Sequence, residues 1–169
     1  ETTSPLYFLL SDETISFEIR KDGEIVEIKR ENKSTTLQTH VEKSGYQETM
    51  GGSVIRYDLY HIQNKSLVPL ENFYLHESLP ADAAYITRLF TGTFNQNLNY
   101  TIYYKTNKTG SFKALQDNLF TNKVYEIDCT KGLMAGEYIT DIKYEFGTVD
   151  VGFCEVERPF IYCKTYQNL

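Results

Sequence analysis

Between Val54 and Leu75 the chain alternates, breaks and alternates again, and this rhythm restricts the fold more than any other stretch. Ile55, Tyr57 and Leu59 take every second place, with Arg56, Asp58 and Tyr60 between them. A period of two turns one set toward a core and the other toward water, as a strand does and a helix does not. Gln63, Asn64, Lys65 and Ser66 then supply turn chemistry, and Pro69 has no amide to give a ladder, so a second extended run starts afresh toward Phe73 and Leu75. Ser78-Leu79-Pro80 closes it. The unit is two strands joined by a polar crossing.

The same period returns along the chain. Thr36 to Tyr46 reads as a connector that becomes a strand, with Leu37, Thr39 and Val41 alternating. Tyr85, Ile86, Leu89 and Phe90 form another, and Leu98 to Lys105 sets Leu98, Tyr100, Ile102 and Tyr104 on one face. Phe112 to Leu119 reads as irregular or helical. Val124 to Cys129 gathers Tyr125, Ile127 and Cys129, Tyr138 to Phe146 turns Tyr138, Ile142, Tyr144 and Phe146 inward, and Phe160 to Tyr166 makes a last strand. Upstream, Thr14–Arg20 and Glu24–Arg30 alternate around Lys21-Asp22-Gly23, a hairpin that needs a larger sheet to be stable. Composition shifts near residues 33 to 37, which divides the chain into a hairpin over 1–36 and a main module over 37–169. Fourteen Tyr and ten Phe without Trp suit a pleated surface. Short strands with frequent turns and no long amphipathic helix point to an all-β, immunoglobulin-like β-sandwich with an N-terminal β-hairpin.

Several functions are disfavoured by the residues themselves. A net charge of −6 and a pI near 5.1 do not suit a phosphate-binding surface, so nucleic acid is not an expected partner. No apolar run is long enough to span a bilayer, and no membrane contact is expected of this segment. Glu1 opens neither a charged nor an apolar leader region, so an export signal is expected outside this sequence. Leu79-Pro80 begins like a sortase signal, but Ala81-Asp82-Ala83 lacks its Thr-Gly, and a turn is the better reading. His40, His61 and His76 stand at no metal spacing and fall at outward parity. Gly51-Gly52-Ser53 has neither the Lys nor the helix of a phosphate cradle. Ser11-Asp12-Glu13 and Glu155-Val156-Glu157 lack EF-hand spacing and read as solvated loops.

Cys129, Cys154 and Cys163 allow three pairings that the sequence does not separate. Buried thiols are the preferred reading, with a Cys129–Cys163 disulfide kept as the alternative. Asn32, Asn64, Asn99 and Asn107 each open an N-x-S/T triplet. Tyr100, Tyr103, Tyr104, Tyr138, Tyr144, Tyr162 and Tyr166 suit either core packing or a sugar-stacking platform, and packing is preferred. No serine elbow or acid–base constellation appears, so the chain is not read as an enzyme, and no cofactor or metal is expected.

Tyr57, Leu59, Asn64, Lys65, Ser66, Leu70, Phe73, Glu77, Leu79 and Pro80 resemble the signature of the conserved repeat of bacterial cell-surface proteins known as domain of unknown function eleven. The resemblance runs over residues 38–166. Glu77-Ser78 stands where that repeat has aspartate before Leu-Pro, and Gln63 to Ser66 replaces its Thr-Asn-x-Gly turn. Separately, Leu10, Ser11, Asp12, Phe17, Ile19, Asp22, Gly23, Val26 and Asn32 resemble the closing hairpin of Cna-B/SpaA-like modules of Gram-positive pili and adhesins. That likeness makes Asn32 the asparagine of an isopeptide bond to a lysine on a first strand. No counterpart of that strand precedes it here, so no such bond is expected. The resemblances imply an extracellular, cell-surface or cell-wall setting, neighbouring domains of the same protein as partners, and a host or glycan ligand. They also imply that the N-x-S/T triplets carry no sugar. The expected function is a non-catalytic structural or adhesive segment of a multi-domain surface protein. The alternative is a carbohydrate-binding module of a secreted protein, which requires two or three exposed tyrosines in a flat row.

Overall fold

The computed structural model describes residues 39–44, 51–80 and 82–166. Over these the chain is an all-β, immunoglobulin-like sandwich, with no helix among the described residues. The hairpin over 14–30, Asn32 and the boundary at 33–37 lie outside them. The strands are β1 (Thr39–Ser44), β2 (Val54–Asn64), β3 (Leu70–Ser78), β4 (Ala84–Phe90), β5 (Thr93–Phe94) and β6 (Asn99–Thr106). After these come β7 (Lys113–Phe120), β8 (Glu126–Asp128), β9 (Ile139–Val149), β10 (Glu155–Glu157) and β11 (Phe160–Thr165).

Hydrogen bonding orders the strands β1-β2-β11-β4-β9-β6-β7, with β8 also on β4 and β3 also on β9. Between β4 and β9 the ladder holds at the single pair Ile86↔Ile139. There it folds into two antiparallel layers, β1-β2-β11-β4-β8 and β3-β9-β6-β7, while β5 and β10 form a small ribbon apart. The inward faces carry the alternating residues: Ile55 and Leu59 from β2, Tyr100 and Ile102 from β6, and Ile142, Tyr144 and Phe146 from β9 are all buried. Rings fill much of the space. Phe153 is fully buried, stacked 5.1 Å from Phe94 and edge-on to Phe73 at 5.5 Å and Phe146 at 5.3 Å. Each such pair adds about 0.5–1.5 kcal/mol beyond the area it buries.

The alternation read from β2 holds to Leu59 and then slips. His61 takes a left-handed φ of 58°, its amide N–H donates to the Glu155 carboxylate, and the buried set resumes at Ile62 and Asn64. One inserted residue changes which face the rest of the strand presents. Asn64, buried, then staples two loops: its amide donates to the carbonyls of Val68 and Asp150, and its oxygen accepts the Ser66 N–H at 2.8 Å. A side chain so committed is closed to glycosylation.

Two sequence expectations are corrected. Phe112 to Leu119 is not helical: Lys113–Phe120 is the edge strand β7, paired along β6 from Tyr104↔Lys113 to Asn99↔Phe120. Its Ala, Leu and Gln favour helix locally, but the open edge of β6 offers backbone partners that a lone turn of helix lacks. Tyr138 does not turn into the core with Ile142, Tyr144 and Phe146; it precedes β9 and is half-buried against Tyr85.

Register also fixes the two ends of the sandwich. Val54 of β2 faces Lys164 of β11, and Ala84 of β4 faces Thr165, so β11 finishes at the pole where β2 and β4 begin. Thr39 of β1 faces Asn64, the last residue of β2, at the opposite pole. The chain therefore comes into the sandwich at one pole and leaves at the other.

Candidate functional site

At the exit pole the layers part, and the segment between β8 and β9 arches over the gap. The result is a cleft of about 400 Å³ whose lining includes Tyr85, Ile86, Cys129, Leu133, Met134 and Tyr138. Apolar concavities with a few polar groups are the usual places for a ligand or partner. Met134 is 69% exposed at its rim, a large apolar side chain offered to solvent. Tyr85, Tyr138 and Tyr166 cluster beside it, with ring centroids 4.4 Å apart for Tyr85–Tyr138 and 5.3 Å for Tyr85–Tyr166. Burial raises the Tyr166 hydroxyl's pKa above its ordinary value, reinforced by Tyr138 and Tyr85.

The rim is fixed by its neighbours. Asn107 donates to the Gly136 carbonyl and accepts the Tyr138 N–H, and the Lys108 ammonium donates to the Ala135 carbonyl at 2.8 Å. Glu137 looks like a catalytic acid until its bonds are traced: one oxygen accepts the Thr106 hydroxyl at 2.8 Å and the other the Met134 N–H at 3.1 Å. Those two bonds hold its carboxyl below the usual range, so it stays ionised as the clamp of its own loop. Cys129 borders the cleft, but burial pushes its thiol up to about 12, far from the thiolate a nucleophile needs. The cleft can hold an apolar or aromatic group, with Glu137 tied into its own loop and Cys129 kept as the thiol at its border.

The residues singled out by sequence are dispersed. Cys129, Cys154 and Cys163 are free. Cys129 sits beside Thr87 on one side of β4 and Cys163 beside Ile86 on the other, both buried and with no bond between them. His61 and His76 are exposed, His76 bonding Asp141 at 2.9 Å. Among the described residues, no three His, Cys, Asp or Glu gather as a metal site would require, and no helix is long and apolar enough to cross a membrane.

The seven tyrosines divide by register. Tyr100 and Tyr144 lie in the core, Tyr104 packs against it, Tyr138 and Tyr166 flank the cleft, and Tyr103 and Tyr162 stand half-exposed on opposite layers. Sequence reasoning missed Tyr85 as their partner and Met134 as a rim residue, because the loop that brings them together has no period to read. Compared with known proteins, the chain matches no family model, no curated protein and no solved structure.

Proposed function

We propose that the chain is a non-catalytic structural and adhesive module, one segment of a stalk in a multi-domain protein of the bacterial cell surface or wall. One observation carries this reading: β1 and β11 flank β2, run parallel to each other and have their free ends at opposite poles. A pull along the chain drags β1 and β11 lengthwise in opposite directions past β2. Hydrogen bonds perpendicular to that pull are loaded together instead of opening one after another, which is how a sheet resists extension. β11 is gripped on both sides, by β2 and β4, whereas among the described residues β1 is gripped by β2 alone, across a register shift at His40/Glu42. The exit-pole cleft, beside Tyr166 where the chain leaves β11, is the seat for the neighbouring module.

Single-molecule extension of a tandem array tests the reading. A small early step is expected as β1 slides free, followed by a cooperative rupture of the β2-β11-β4 clamp at much higher force. Gradual lengthening at low force would overturn it.

A further inference from the structure

Register fixes which side chains stand together on the outward face of β3-β9-β6. Tyr74, Glu145 and Thr101 make one row, His76, Lys143 and Tyr103 the next. Charge cancels in place there, with the Lys143 ammonium 2.6 Å from the Glu145 carboxylate and 5.1 Å from the Tyr103 ring centroid. Beside these rows β6 and β7 leave a shallow depression of about 240 Å³ bounded by Asn99, Thr101, Tyr103, Asn118, Glu145 and Gly147. It exists because the β6–β7 pairing slips between Tyr100 and Ile102, with Asn118 in a left-handed φ of 52°. Asn99, Thr101 and Asn118 make no side-chain hydrogen bond among the described residues.

Two other aromatic clusters among the described residues do not offer this combination. Phe90 and Phe160 stack on each other at 4.3 Å, with the Arg56 guanidinium 3.8 Å over Phe160, and Tyr85 and Tyr138 likewise cover one another. Beside Tyr103, by contrast, two amides, a hydroxyl and a carboxylate line a hollow next to an aromatic ring. Amides and hydroxyls both donate and accept, matching vicinal hydroxyls that do the same, while the ring suits the C–H face of a pyranose.

We propose that this depression binds a neutral sugar residue at an end or branch of a glycan. Lys143 is already paired with Glu145, so it offers no uncommitted cation to an anionic sugar. The proposal rests on the adhesive reading and gives it a ligand class. On so open a surface the expected Kd is on the order of 1 mM.

The test is a titration of the isotope-labelled chain, followed by backbone amide shifts, with glucose, galactose and N-acetylglucosamine, and with glucuronic acid as the anionic control. Saturable shifts confined to Asn99–Thr101, Asn118 and Glu145–Gly147 are expected with a neutral sugar. Tyr103→Ala and Asn99→Ala should each weaken binding about tenfold or more, and Tyr85→Ala at the distant cleft should leave it unchanged. Asn99 is exposed, so its variant is expected to fold even if Tyr103→Ala does not. The proposal is overturned by an absence of shifts at these amides, by tighter binding of glucuronic acid, or by undiminished binding in Asn99→Ala. None of those outcomes bears on the extension experiment, so the stalk reading and the sugar site fail separately.

Discussion

The Tyr144 hydroxyl is enclosed in the core without a hydrogen-bond partner among the described residues, while its ring stacks on Tyr100 at 5.9 Å and Phe146 at 6.0 Å. An unsatisfied buried polar group costs about 1–3 kcal/mol. Tyr144→Phe keeps the ring and removes the oxygen, so the urea midpoint is expected to rise by the equivalent of about 1 kcal/mol; a fall would mean the hydroxyl stabilises the core. Gly92 is the opposite case. At φ 68° a Cβ there would stand 2.3 Å from the Glu157 carbonyl oxygen and 2.7 Å from the Pro159 nitrogen, both backbone atoms. Gly92→Ala combines left-handed strain with that collision and is expected to destabilise by about 3 kcal/mol or more in the same assay. Little of this could be read beforehand. The close approach of the β10–β11 connection to Gly92 was not legible, since nothing near Gly92 in sequence encodes it. The tyrosines were ambiguous because one residue type serves the core at Tyr144, the cleft at Tyr138 and an outer face at Tyr103.

Among the elements, strands with a buried face were legible because burial enforces the alternation. Leu98 to Lys105 differs from β6 by a residue at each end, and Phe160 to Tyr166 from β11 by one residue at its C-terminal end. What did not show were the irregularities: left-handed residues at His61, Asn72 and Asn118 re-phase β2, β3 and β7, and no local residue pattern announces where a ladder must slip. β7 was misread for a related reason. Only Leu119 of that strand is buried, so the sequence there is nearly free of the core's constraint. The same fact sets its dynamics. β9 is hydrogen-bonded on both sides, by β3 and β6, while among the described residues β7 has β6 alone. Amide hydrogen exchange should therefore be slowest at β9 residues such as Ile142 and Tyr144, approaching the global opening free energy, and much faster along Lys113–Leu119. Equal protection of the two strands would mean that the edge is held by more than its pairing to β6.

For the whole molecule, the buried acids set a window of pH stability, and its sign follows from the direction of each shift. Burial pushes Cys129 from 9.0 up to about 12 and Tyr100 from 10.0 up to about 12, and raises Tyr144 well above its ordinary value. Above about pH 9 the unfolded chain begins to release protons that the fold retains, so stability is full below that pH and declines as pH rises toward about 12. On the acid side the shifts point the other way. Burial works against ionisation of Asp141, but hydrogen bonds from His76, Thr140 and Ser78 outweigh it and hold the carboxyl below its usual value, as bonds from Thr106 and Met134 do for Glu137. Their contribution is present above the ordinary carboxylate pKa and is lost as pH falls below it. Urea midpoints measured across pH should give a plateau between roughly 5 and 9 with a fall on each side. The two limbs are separable, because they belong to different parts of the sandwich. Cys129→Ala with Tyr100→Phe removes two of the alkaline groups from the core and should flatten the decline above pH 9 while leaving the acid limb in place. Asp141→Asn, on the outer face of β9, should do the reverse. If the alkaline slope persists in the double variant with Tyr144→Phe added, the loss of stability there arises from exposed lysines and tyrosines rather than from the enclosed core.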